Sequence, residues 1–215
     1  MTFSEYLRLR GNDLLDQAGQ HALLVILAVL MATVISVGSG MLTWIRPRLA
    51  GAATAIAAGL LTVPSFALLG LLIPVLGLGW APSLTAITLY SLLPILRNTL
   101  VGLNEVDPAV VEAARGMGLG PARVLSVVQL PLAWPYILAG IRITTQMVVA
   151  IATVAAFVDG PGLGVPILDG LARLGAANAA NEAIAGTVAV VLVALAFDLC
   201  YVLLKRLTTP RGLHV

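Results

Sequence analysis

From Leu49 to Leu96 the chain carries no charged residue, and from Ala22 to Ile45 it carries none either. A helix needs about 20 apolar residues to cross the hydrocarbon of a bilayer. Uncharged runs this long leave few soluble folds open. The composition of the 215 residues points the same way: 60% are hydrophobic, 10% are charged, and the mean hydropathy is +1.03. Soluble domains carry about 25% charged residues. The runs predict an all-α integral membrane protein with five transmembrane helices, at 20–43, 49–72, 81–102, 132–157 and 182–205. Six spans is the alternative, if Val165–Leu174 dips into the bilayer, and Asp169 and Arg173 make that costly. Residues 1–19 then form an N-terminal tail, 20–205 the transmembrane domain and 206–215 a C-terminal tail. Glu5, Arg8, Arg10, Asp13 and Asp16 precede the first apolar run, which reads as a retained membrane helix rather than a cleaved secretory signal.

Positive charge orients such a bundle. Arg46, Arg48, Arg97, Arg115, Arg123, Lys205, Arg206 and Arg211 fall on one side. Arg8, Arg10 and Arg173 fall on the other, among acidic Glu5, Asp13, Asp16, Asp159, Asp169 and Glu182. The first side is expected to be cytoplasmic, with the N-terminus outside and the C-terminus inside. Arg142 and Asp198 lie within spans, each about seven residues from a cytoplasmic end, so both sit roughly 10 Å deep. They either pair, directly or through water, or Arg142 snorkels to the headgroups.

Prolines interrupt the spans at Pro64, Pro74, Pro94 and Pro135, where they are expected to kink the helices. These are ordinary membrane-helix prolines, or they mark a pathway lined by irregular helices. Tyr90, Pro94 and Asn98 on the third span are the candidates for lining such a path. Trp44, Trp80 and Trp134 fall near span ends, as an interfacial aromatic belt does, and no aromatic cage for a cation is visible.

Several chemistries find no support. Cys200 is the only cysteine, so no disulfide forms within the chain. His21 and His214 lie at opposite ends, with no metal-ligand spacing and no nucleophile–base pair. Lys205 is the only lysine and is not in a Gly-rich phosphate loop, so the chain carries no Walker A motif. The net charge of +2 is too small to suggest nucleic acid. The expectation is no catalysis, no metal and no cofactor in this chain, with lipid as its surroundings.

One polar island, 105–123, interrupts the apolar pattern. Asp107 is a good N-cap and Pro108 a good first helical residue. A short helix should run from Pro108 to about Arg115, with Gly116 and Gly118 able to supply the positive φ that ends it. Gly120-Pro121 should start a second helix, which Pro131 separates from the fourth span. Ala113 and Ala114 would let a partner approach closely, and Glu112 and Arg115 would give it charge for register. An ordinary capped loop is the alternative.

The spacing of the island is specific. Glu112-Ala113-Ala114 is followed by three residues, Gly118, nine residues, Val128, Gln129 and Leu130-Pro131. This resembles the cytoplasmic loop signature of ABC importer permeases, departing only at Val128, where Ile is usual. The stretches from Tyr90 to Thr99, Gly140-Ile141-Arg142 and Gly162-Leu163-Gly164 resemble the osmoprotectant branch, permeases for glycine betaine, carnitine and choline, over roughly Thr62 to Leu171. The resemblance implies a type I importer permease bundle in a bacterial cytoplasmic (inner) membrane. Its coupling loop would contain Glu112, Ala113, Ala114, Arg115, Gly116, Gly118, Leu130 and Pro131. It also implies two ATP-binding subunits that carry the ATP and Mg, a second permease chain and an extracytoplasmic substrate-binding protein. Import of another solute such as an amino acid stays open at this point. So do an ion-gradient-driven secondary transporter, for which no internal repeat is seen, and a membrane scaffold.

Overall fold

The computed structural model describes residues 1–208. Arg211, His214 and the rest of the expected C-terminal tail beyond Thr208 lie outside the described residues. Nine helices and no strand make up the described chain: α1 (Phe3–Thr43), α2 (Pro47–Thr62), α3 (Ser65–Leu76), α4 (Trp80–Asn104), α5 (Pro108–Gly116), α6 (Pro121–Val124), α7 (Leu130–Ala152), α8 (Gly164–Ala172) and α9 (Ala179–Thr208). Four helical stretches are long and apolar enough to cross a membrane, and α2 with α3 makes five. The nine residues of α8 cannot cross, so the six-span alternative fails.

The core lies between α1, α4 and α7. Leu24, Val25, Ala28 and Ala32 pack against Ile87, Ile95 and Leu103, and against Ala133, Ile137, Val148 and Val149. Hydrophobicity does not drive helices together in lipid, so close packing at small residues and interhelical hydrogen bonds matter more. A Cβ on Gly140 would lie 2.6 Å from the Asn98 Cβ, and one on Gly102 would lie 2.9 Å from the Ala133 carbonyl. These two glycines set how near α7 comes to α4. The Ser36 hydroxyl ties α1 to α4 by donating to the Leu92 carbonyl at 3.0 Å.

Three expectations need correction. Residues 3–19 are no tail: α1 runs unbroken from Phe3, started by a capping box in which Thr2 and Glu5 bond reciprocally. The Thr2 backbone N–H and hydroxyl hold the Glu5 carboxyl below the usual carboxylate range. Tyr6 and Leu14 pack against Leu163 and Ala185, and Asn181 Nδ2 donates to the Met1 carbonyl at 3.1 Å, which gives this segment a docking surface.

The span expected at 49–72 is broken. α2 and α3 meet at 96°. Pro64 offers no N–H and forces Val63 into an extended conformation (φ −66°, ψ 129°), so the helix cannot continue through them.

Pro131, by contrast, separates nothing. The helix runs from Pro121 to Val158 through a π turn at Leu125–Gln129 and a 3-10 end at Thr153–Val158. Leu130 N–H reaches back to the Leu125 carbonyl. That widened turn makes room for a residue that has no N–H to give.

Candidate functional site: the α5 island and the intramembrane ion pair

The island folds as a helix held out at one end of the bundle. Asp107 caps it, its Oδ1 accepting the Ala109 N–H at 2.8 Å. Gly118 ends it with φ +85°, while Gly116 stays helical. The Leu119 N–H donates to the Ala114 carbonyl at 3.2 Å and the Gly118 N–H to Arg115 at 2.9 Å. These are the paired bonds of a Schellman motif, which only a residue at ease with positive φ completes.

Helical spacing divides α5 into two faces. Val111 and Ala114 turn inward and pack with Val106 and Val124, and Leu119, Val128 and Leu132 close around them. The spacing from Gly118 to Val128 therefore has a structural meaning: it brings the chain back under the helix. Ala114 is buried and unavailable to a partner, which corrects the expectation that both alanines face outward. The exposed face carries Val110, Ala113 and Met117, and Met117 is 76% exposed. The sequence reading missed Val110 and Met117, although their i, i+3, i+7 spacing with Ala113 is legible. Glu112 and Arg115 are exposed and make no ion pair among the described residues. Leu130 packs toward the core, and exposed Pro131 sits in the first turn of α7.

Arg142 and Asp198 meet. Arg142 Nε donates to Asp198 Oδ1 at 2.8 Å and Nη2 to Oδ2 at 2.9 Å, a bidentate pair joining α7 to α9. Other polar contacts extend the join along both helices. Gln146 Nε2 donates to the Ala194 carbonyl at 3.2 Å, the Tyr201 hydroxyl lies 2.8 Å from Thr145 Oγ1, and Trp134 Nε1 donates to Thr208 Oγ1 at 3.0 Å. A groove of about 390 Å³ runs beside the pair, lined by Pro135, Ala139, Ile143 and Lys205 among others. Arg142 lines this groove, and the two charged side chains are 42% and 37% exposed.

The path candidates fare differently. Tyr90 is 3% exposed, and its hydroxyl donates to the Val63 carbonyl at 2.8 Å. It braces the α2–α3 break from within instead of lining an open path. Asn98 Nδ2 donates to the Pro94 carbonyl at 2.8 Å, and both residues are partly exposed on α4. No group of His, Cys, Asp and Glu among the described residues is arranged to hold a metal.

The chain matches a described family, the binding-protein-dependent transport system inner membrane component, over residues 25–211. It is 35% identical to the choline transport system permease protein OpuBB of Bacillus subtilis, covering 98% of this chain and 95% of that one. It is 35% identical to the glycine betaine/carnitine/choline transport system permease protein OpuCB of the same organism, covering 97% and 94%. It is 38% identical to the osmoprotectant import permease protein OsmW of Salmonella typhimurium, covering 94% and 97%. A solved inward-facing structure of the MetNI methionine ABC transporter superposes on the fold with a TM-score of 0.79, at 21% identity over 92% of this chain and 96% of that one. At that identity the likeness speaks for the architecture alone. The length and spacing of the island, the helical bundle and these matches converge: the chain belongs to the family of inner membrane permease components of binding-protein-dependent transport systems.

Proposed function

We propose that the chain is the membrane-spanning subunit of an ATP-driven importer of compatible solutes such as glycine betaine, carnitine or choline. The observation that carries this reading is 35–38% identity, over nearly the whole chain, to permeases named for these solutes. The island supports the mechanical half of the reading. A capped, Schellman-closed helix with an apolar outward face of Val110, Ala113 and Met117 suits insertion into a cleft of an ATP-binding subunit. Glu112 and Arg115 flank that face with opposite charges and fix its register. Two such chains, equal or related, surround the path, and two ATPases dock on their islands and carry the ATP and Mg. Closure of the ATPases pushes on α5, and the path opens to the side where a separate binding protein delivers the solute. The positive-inside charge balance puts α5 in the cytoplasm and Met1 outside.

Uptake of labelled choline, carnitine and glycine betaine in proteoliposomes tests the reading. Accumulation should require this chain, an ATPase subunit and a binding protein together. Accumulation driven by an ion gradient without the ATPase would overturn it. In a Cys200→Ser background, Ala177→Cys should react with an impermeant thiol reagent from outside intact cells and Ala109→Cys should not. The reverse pattern would remove the docking role.

A further inference from the structure

The bend between α2 and α3 leaves backbone groups without partners at membrane depth. Tyr90, which braces the bend, lies ten residues into α4, about 15 Å from its end and so near the middle of a ~30 Å hydrocarbon layer. At the bend the Val63 N–H donates to the Leu60 carbonyl at 3.3 Å, the Leu68 N–H to Pro64 at 3.0 Å, and the Tyr90 hydroxyl covers the Val63 carbonyl. Among the described residues nothing takes the carbonyls of Leu61 and Thr62 or the N–H groups of Ser65, Phe66 and Ala67. Thr62, Pro64 and Phe66 are exposed on the outside of this chain. Irregular backbone with unmet hydrogen bonds is not tolerated against lipid tails; at this depth it is buried in protein or lines water.

A second feature sits within one turn of the break. Phe66 packs edge-on against Phe157, ring centroids 4.4 Å apart and planes at 76°. It is the only aromatic pair of its kind among the described residues, and the two residues are 54% and 55% exposed. An edge-to-face pair leaves ring faces open, and those faces carry the negative part of the π quadrupole. A quaternary ammonium group has no N–H to donate, so ring faces are its natural partners.

We propose that the α2–α3 break faces the water-filled path, and that Phe66 and Phe157 form a transient subsite there for the quaternary ammonium group of the passing solute. The subsite rests on the reading that the solute carries such a group; the path-facing break does not. A half-exposed aromatic pair binds weakly, which suits a site that must release what it holds.

The test uses the complete complex in proteoliposomes, in a Cys200→Ser background. Thr62→Cys should react with a hydrophilic maleimide, whereas Leu195→Cys on the aliphatic face of α9 should not. Failure of Thr62→Cys to react in a folded complex overturns the path-facing break. Phe66→Leu should slow choline uptake at saturating choline by about two- to fivefold, the range of an exposed cation–π contact. Phe66→Trp should restore the rate. A trifluorinated phenylalanine at position 66, which keeps the ring's shape and drains its quadrupole, should slow uptake as the leucine does. Wild-type rates in the leucine and fluorinated variants overturn the subsite while leaving the choline-import reading intact. A wild-type complex that imports no quaternary ammonium solute overturns that reading and the subsite together, and the maleimide arm still decides which way the break faces.

Discussion

α4 and α9 are both apolar enough to span a membrane, and they are held in unlike ways. In α4, 61% of the most apolar window is buried within the chain; in the more hydrophobic α9, none is. α4 is gripped by close packing, with Gly140 against Asn98 and Gly102 against Ala133. α9 meets α7 through the Arg142–Asp198 pair and the Gln146, Thr145 and Trp134 contacts, with grooves on either side of the join. Hydropathy therefore does not rank helices by depth in a bundle. Lipid satisfies an apolar surface as well as protein does, so position is decided by small residues and by polar pairs.

The sharpest break of the comparison is Gly140→Leu. Its Cβ alone would meet the Asn98 Cβ at 2.6 Å, inside contact distance, on two helices that cannot move apart without losing the core. The expected cost is about 3 kcal/mol, the upper part of the overpacking range, read as lost thermal stability of the purified chain. Near-normal stability would mean that α4 is not gripped there. Arg142→Gln comes next. It strands the Asp198 carboxylate, but the two side chains are 42% and 37% exposed, so the loss of thermal stability should be smaller than that of Gly140→Leu. The double exchange Arg142→Asp with Asp198→Arg should recover part of that. Strictly additive effects in the double-mutant cycle would show that the two residues act separately. Tyr201→Phe is the smallest, at about 0.6 kcal/mol, the average for a hydrogen bond between membrane helices. A Tyr201→Phe effect as large as that of Arg142→Gln would make the whole polar ladder one cooperative unit.

Much of this architecture was legible in the residues, for reasons that also explain what was not. The ends of α5 were readable because Asp107, Pro108 and Gly118 act locally, each through its own backbone or a near neighbour. The 96° bend was not, because hydropathy measures how apolar a run is and not where it points; Pro64 marked a kink without its size. Pro131 misled for the converse reason. Its cost depends on whether the preceding turn can widen, and nothing in Leu125–Gln129 announces a π turn. Tyr90 looked free to line a path because its partner, the Val63 carbonyl, exists only once the break has formed. The N-terminal helix was within reach: Thr2 and Glu5 have capping-box spacing, obscured by the charged residues that follow. The meeting of Arg142 with Asp198 was anticipated as one of two outcomes from matching depth alone. The Phe66–Phe157 pair had no such signal, since the two residues are far apart in sequence and joined only by the fold.

The helix that runs without a stop from Pro121 to Val158 spans 38 residues, about 57 Å from end to end. One of its ends adjoins the α5 island; the other adjoins the loop beyond Val158, where the Gly79 N–H meets the Val158 carbonyl. Its closest approaches to α4, from Ala133 to Gly140, fall near its middle. A beam resting on a central fulcrum turns a push at one arm into an opposite displacement of similar size at the other. By lever geometry alone, with no signal passed from side chain to side chain, a shift that closes this helix against its neighbours at the island end spreads it from them at the far end.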